Sequence, residues 1–185
     1  MQPLGYQYKR VFQAPAGFGP PRVSDVYAVS DCLSEAFDAK SEVKGWNAHG
    51  FFDSPSEVRA FGARHALPLG GCTLFYYEGH ELVYVHDEHG ARWQPFTPSE
   101  RSETTVEPPS GHALEGFDVT ALGGGDLPGC SPLSCNGLAK EVKTNEHCLL
   151  PTLAAAIQAL ESGAFADSEP GPYRIIAVYS LGASC

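Results

Sequence analysis

Two segments of the chain place apolar residues at helical spacing. The first follows residues 54–57, Ser-Pro-Ser-Glu, in which the serine can cap a helix, the proline suits its first turn and the glutamate completes a capping box. The second begins near Pro151 and carries Leu153, Ile157 and Leu160 on one face. The pattern therefore predicts two amphipathic helices that pack on a shared core.

Runs of aromatic and β-branched residues predict the strands. Three such runs lie between residues 73 and 96, separated by turn residues at 79–80 and 87–90, which is the pattern of a β-meander. The run 173–181 is almost continuously apolar and predicts a central strand buried on both faces. The fold class that follows is α+β, with a mixed, largely antiparallel sheet covered on one face by the two main helices.

The chain has the length of one domain, which we expect to span residues 1–185, and its two halves resemble each other. Each half contains the pattern Asn-x-His-x-Φ-Φ, where Φ is apolar, at 47–52 and again at 145–150. An Asp-Val pair precedes each pattern, and a helix and an apolar strand follow it. These features favour an internal duplication. The alternative is chance, since strand-helix-strand order is common and the spacing between the matched residues differs.

Under the duplication hypothesis the pseudo-repeats are residues 23–96 and 115–181. They are joined by residues 97–114, a polar segment with three prolines that we expect to form an exposed loop. The two helices would then pack on one shared sheet, and corresponding side chains could meet around a pseudo-twofold axis.

The charge balance is strongly acidic, with 22 acidic and 12 basic residues and a formal charge of −10. This balance argues against nucleic-acid binding by phosphate neutralisation, which needs clustered Lys and Arg. It favours a basic protein partner or simple solubility. No run approaches the ~18 apolar residues of a membrane span and the N-terminus lacks a secretory signal, so we expect a cytoplasmic protein. Its six cysteines should then be thiols or metal ligands.

Four candidate metal ligands follow one another in the second half: Cys130, Cys135, His147 and Cys148. Three sulfurs and one imidazole are an accepted ligand set for tetrahedral zinc. The adjacent His147 and Cys148 would have to face the same ion, which requires a turn rather than a strand. The alternative is a set of buried, reduced cysteines, since free Cys is among the most buried residue types. The sequence predicts no cofactor, and zinc is the one alternative that it offers.

The same segment offers a nucleophile. A short helix over residues 138–142 would lower the pKa of the Cys135 thiol and present backbone N–H groups to an oxyanion. His147 would act as the base, oriented by Asn145 or Glu146. This arrangement predicts a thiol-dependent hydrolase or transferase, although the residues after Cys135 match no protease or amidase signature.

Candidate binding residues lie in the first half. Asn47 and His49 would line one pocket with Asn145 and His147, next to Trp46. The alternative is that Asn and His hydrogen-bond the backbone of a turn before each helix, while the tryptophan packs in the core.

Acidic charge is abundant and no catalytic signature is complete. Composition therefore favours an acidic cytoplasmic interaction protein, of the inhibitor or immunity type, that binds a basic protein partner. The alternatives are the thiol-dependent enzyme and a zinc-stabilised structural module. Replacing Cys135 distinguishes them, because the change would abolish activity in the enzyme, unfold the zinc module and do neither in the binding protein.

Overall fold

The computed structural model describes residues 1–15, 23–36, 46–98, 105–123 and 126–183. This part of the chain has the α+β fold that the hydrophobic pattern predicts, with one large antiparallel sheet and three α-helices. The strands are β1 Gln2–Arg10, β2 Phe12–Gln13, β3 Asp25–Val26, β4 Glu35–Ala36, β5 Thr73–Asp87, β6 Gly90–Pro95, β7 Ala113–Ala121 and β8 Tyr173–Ala183. The helices are α1 Pro55–Arg64, α2 Pro132–Cys135 and α3 Leu153–Glu161, with a 3-10 turn at Leu138–Lys140.

The main sheet has six strands in the order β4-β1-β5-β8-β7, with β6 also paired to β5. All pairings within the described ranges are antiparallel. Strand β8 lies between β5 and β7, and its residues 175–178 are 0% exposed. The prediction of a central strand buried on both faces is therefore confirmed.

The two main helices begin where the sequence predicts. Ser54 caps α1 by accepting a hydrogen bond from the N–H of Glu57 at 3.2 Å, and the Glu57 carboxylate accepts one from the N–H of Asp53. Thr152 caps α3 in the same way, through the N–H of Ala155 at 3.1 Å. None of the helices in the described ranges is long and apolar enough to cross a membrane.

The two faces of the sheet have different coverings. On one face α1 packs near Tyr6 and Tyr76, while α3 packs near Phe117 and Ala177. On the opposite face, within the described ranges, loop residues such as Val29, Phe51 and Leu149 pack against the sheet. The buried apolar side chains of this face, with those of the covering loops, are Leu4, Val29, Phe51, Phe75, Tyr77, Leu149, Ile176 and Val178.

Each half contains a glycine at an equivalent point of its first long strand. Gly5 in β1 and Gly116 in β7 sit at register irregularities, with φ of +134° and +151°. The residue after each glycine forms an antiparallel bridge with the last residue of the Asn-x-His-x-Φ-Φ pattern in the same half. These bridges are Tyr6–Phe52 and Phe117–Leu150.

The pairing of the central strands relates the halves by a pseudo-twofold axis. Tyr77 of β5 pairs with Val178 of β8. On its other side Tyr77 pairs with Gly5 of β1, and Val178 pairs with Gly116 of β7. The strand order β1-β5-β8-β7 is symmetrical about the pair Tyr77–Val178. The symmetry matches β7 with β1, which precedes the predicted repeat 23–96, whereas the two Asp-Val pairs lie in β3 and β7. Duplication as the origin of the symmetry stays a prediction.

Two local expectations differ from the structure. Residues 79–80 form no turn, because the open space at Gly79 admits the guanidinium of Arg174, which donates to the carbonyl of His80 at 2.9 Å, and β5 continues through this point. In the expected exposed loop 97–114, Val106 is 9% exposed and packs in the cluster under α1. Residues 99–104 of that loop lie outside the described ranges.

Candidate metal centre

Three cysteine sulfurs from distant parts of the chain converge. Those of Cys32, Cys130 and Cys135 lie within 4.8 Å of one another. The Sγ atoms of Cys32 and Cys130 are 3.9 Å apart although 98 positions separate the residues. Cys32 is exposed, and the other two are partly buried. This group could hold a metal ion, with Cys32 on the solvent side.

The short helix α2 positions two of the three sulfurs. The carbonyl of Cys130 accepts a hydrogen bond from the N–H of Ala121 at 2.9 Å, which fixes the chain against the end of β7. The N–H of Cys135 donates to the carbonyl of Ser131 at 2.8 Å and closes the helical turn. The turn therefore brings Cys135 back toward Cys130, and its sulfur lies 3.3 Å from the hydroxyl of Ser30.

A buried lysine positions the third sulfur. The ammonium of Lys9 donates to the carbonyls of residues 28, 29 and 30 at 2.9, 2.7 and 2.6 Å. It also lies 3.0 Å from the carboxylate of Asp31. Burial lowers the pKa of Lys9, and the charge of Asp31 opposes that shift. The backbone is thus held up to the residue before Cys32.

The thiols of Cys32 and Cys130 are protonated at neutral pH when no cation is bound. Burial of the sulfur, and then its hydrogen bond with Cys135, raises the pKa of Cys32 to about 12. Burial also raises the pKa of Cys130. A metal ion must displace these protons to bind thiolates, so its affinity should increase with pH.

The other two predicted metal ligands lie elsewhere. Cys148 is 2% exposed and packs in the apolar cluster beneath α3, where burial raises its pKa to about 12. The ring of His147 stacks on Tyr27 with ring centroids 4.0 Å apart, and its Nε2 lies 3.4 Å from the carboxylate of Glu115. Because these neighbouring side chains occupy different surroundings, the converging group contains Cys32 in place of His147 and Cys148.

The predicted nucleophile and base share no hydrogen bond within the described ranges. The sulfur of Cys135 has the hydroxyls of Ser30 and Ser134 as partners, at 3.3 and 3.8 Å. The imidazole of His147 lies instead between the carboxylates of two acidic residues, Asp25 and Glu115.

The predicted orienting residue Asn145 and the predicted binding residue Asn47 hold the same turn in the two halves. The amide oxygen of each accepts hydrogen bonds from the backbone N–H groups two and four positions later. Each amide nitrogen donates to the carbonyl before the strand glycine of its half, Leu4 at 2.9 Å and Glu115 at 2.6 Å. Both amides are therefore engaged with backbone in the structure.

The remaining binding candidates are structural neighbours of the first turn. His49 is 3% exposed, and burial, followed by the charge of Arg174, lowers its pKa. Trp46 lines a small cavity of about 90 Å³ with Phe51 and Asp31. Asn47 and Asn145 each hydrogen-bond backbone groups of their own half, so each stabilises a separate turn.

Sequence reasoning missed Cys32, because no local spacing connects it to a cysteine 98 positions away. Two signals could have pointed to this region. Lys9 directly follows Tyr8 in β1, and Asp118 lies between Phe117 and Val119 in β7. A charged residue next to aromatic or apolar residues in a strand can be buried, and a buried charge needs partners.

The residues that the structure describes form an α+β fold with one group of three converging cysteines. Comparison with protein-family models, with characterised proteins and with solved structures finds no match. The function is therefore argued from the chemistry of this group.

Proposed function

We propose that this chain is a metal-binding protein in which Cys32, Cys130 and Cys135 hold a zinc ion as thiolates. The observation that carries the proposal is the convergence of three sulfurs from separate segments. Soft thiolate ligands favour zinc over hard cations such as magnesium and calcium. Structural zinc takes four ligands, so water or a further group would complete the coordination. The ion would join the first half, through Cys32, to the second.

The sulfur spacing supports this proposal. Tetrahedral zinc with Zn–S distances of about 2.3 Å separates neighbouring sulfurs by about 3.8 Å. The Sγ atoms of Cys32 and Cys130 are 3.9 Å apart, whereas a disulfide requires about 2.0 Å. The loop and α2 would therefore need little movement to accept the ion.

The test is the zinc content of the purified protein after loading and desalting, measured by elemental mass spectrometry. We expect one zinc per chain in the wild type and loss of zinc in each of Cys32→Ser, Cys130→Ser and Cys135→Ser. Cys72→Ala and Cys148→Ala are matched controls, because they remove buried thiols outside the group, and both should retain zinc. Zinc retained by all three serine variants would exclude the proposal, and loss in Cys148→Ala would restore the ligand set expected from sequence.

A cytoplasmic location fits this proposal, because that compartment keeps thiols reduced. Binding of a basic protein partner is a separate proposal, supported by the formal charge of −10. We rank it below the metal centre, because it is supported by composition and the metal centre by converging side chains. Association that weakens steeply with salt would support it.

A further inference from the structure

A buried hydrogen-bond network joins the two segments that carry the sulfurs. Asp118 in β7 is 1% exposed, and its Oδ2 accepts hydrogen bonds from the N–H of Val29 at 2.8 Å and from the hydroxyl of Ser131 at 2.6 Å. The oxygen of that hydroxyl accepts one from the N–H of Ser30 at 3.2 Å. One carboxylate and one hydroxyl thus bind both segments at once.

The network ends next to the cysteines of the candidate metal centre. Ser131 directly follows Cys130 and precedes α2, which ends at Cys135. Ser30 lies two positions before Cys32 on the other segment. The contact between the two serines therefore joins the two segments close to their cysteines.

The charges of the network are compensated inside the protein. The carboxylate of Asp118 accepts a third hydrogen bond, from the N–H of Val119 at 2.9 Å. It is the acceptor in all three bonds, which suits an ionised carboxylate. The ammonium of Lys9 binds the same loop from β1 and attracts Asp118 electrostatically. The loop before Cys32 is thus fixed by buried groups from two strands of the sheet.

We propose that Asp118 and Ser131 are positioning residues of the metal centre, which hold the Cys32 loop against α2 and set the sulfur separation before the ion binds. This inference rests on the proposed zinc function. Outer-shell groups that orient ligands typically account for about 10- to 100-fold in metal affinity. We expect an effect of that size here, because the hydroxyl of Ser131 makes both contacts.

The test compares the zinc affinity of the wild type and of Ser131→Ala by competition with a chromogenic chelator. Removing the hydroxyl should weaken zinc binding by about 10- to 100-fold and alter the thiolate-to-cobalt absorption of the cobalt form. The circular dichroism of the metal-free protein should not change. Thr120→Val is the matched control, since it removes a fully buried hydroxyl on the same strand as Asp118 whose partner is the carbonyl of Arg174. Its zinc affinity should equal that of the wild type.

Each outcome decides the inference. If folded Ser131→Ala binds zinc with wild-type affinity, the positioning role is overturned and the proposed metal centre is unaffected. An equal loss of zinc affinity in Thr120→Val has the same meaning. Failure of the wild type to bind zinc removes the proposed function, and the inference with it. If metal-free Ser131→Ala does not fold, Asp118→Asn decides instead, because it keeps the shape of the side chain and removes its charge. Wild-type affinity in that variant overturns the inference.

Discussion

At the scale of single residues, Asn47 and Asn145 show how a repeated polar residue can have a structural role. Both were visible in the sequence, because the Asn-x-His-x-Φ-Φ pattern is local. Their partners were not, because the carbonyls of Leu4 and Glu115 that they bind lie far along the chain. The sequence therefore located the residues and left open whether they bind a ligand or the backbone.

The partners of buried charged residues are even harder to predict from local sequence. Lys9 and Asp118 are 0% and 1% exposed; Lys9 donates three hydrogen bonds to the 28–30 segment, and Asp118 accepts two from other segments. Their burial means that they need partners, but which partners they find depends on how the loops cross the sheet. The convergence of the three cysteine sulfurs depends on those contacts, so it could not be predicted from local spacing.

The buried carboxyl of Asp118 predicts a pH dependence of stability. Burial raises its pKa from the ordinary 3.8 to about 6, so the folded state binds the proton more tightly than the unfolded state. The resulting stabilisation is present below the unfolded pKa and is lost as pH rises through the folded pKa. In the metal-free protein, the unfolding free energy of the wild type minus that of Asp118→Asn should fall by about 3 kcal/mol between about pH 3.5 and about pH 7.

Urea denaturation followed by circular dichroism at several pH values measures this difference. The subtraction removes the contributions of the other carboxyl groups, which both proteins share. A difference that stays constant across the range would show that Asp118 has the same pKa in the folded and unfolded states.

At the scale of elements, the local signals were sufficient for α1, α3 and β8. Their caps, apolar faces and length are all encoded within the element itself. Strand β5 was less predictable, because Gly79 resembles a turn residue and instead makes room for Arg174 from the neighbouring strand. Arg174 binds the carbonyl of His80 although 94 positions separate the two residues. The conformation of β5 at this point therefore cannot be assigned from local sequence.

The strand glycines give a prediction at this scale. A Cβ at Gly116 would lie 2.8 Å from both the carbonyl oxygen of Leu150 and the Cβ of Leu149, and its φ of +151° disfavours other residues. Gly116→Ala should therefore lower the free energy of unfolding by about 3 kcal/mol. Gly123→Ala is the matched control, because nothing lies within 4 Å of a Cβ there, and its stability should change by less than about 1 kcal/mol.

Chemical denaturation of the two variants measures both effects. The corresponding position of the first half, Gly5, should respond like Gly116, since its Cβ would lie 2.5 Å from the carbonyl oxygen of Phe52. Equal stability of Gly116→Ala and Gly123→Ala would mean that the bulge in β7 relaxes to admit a side chain.

At the scale of the whole molecule, the two halves share a backbone arrangement and differ in their buried polar residues. The register places Gln7 at the position in β1 that corresponds to Asp118 in β7, and Thr120 at the position that corresponds to Lys9. The network around Cys32, with Lys9 from β1 and Asp118 from β7, is therefore not repeated by the pseudo-twofold axis within the described ranges. The candidate centre is an asymmetric feature on a symmetric sheet, which is why comparing the halves in sequence did not locate it.

A zinc ion at this centre would connect the halves directly, and this predicts a change in global stability. An ion that binds the folded state alone adds about 2.7 kcal/mol when free zinc exceeds the dissociation constant 100-fold. For a chain of this length that corresponds to a rise in melting temperature of about 5–10 °C.

Thermal unfolding followed by circular dichroism, with zinc or with excess chelator, measures this rise. Cys130→Ser should melt at the same temperature in both conditions, because it lacks one ligand from the second half, whereas Cys72→Ala should keep the wild-type response. If the wild-type melting temperature is the same with zinc and with excess chelator, the sulfurs hold no ion in the native state. In that case the contacts of Lys9, Asp118 and Ser131 alone would hold the Cys32 loop against the second half.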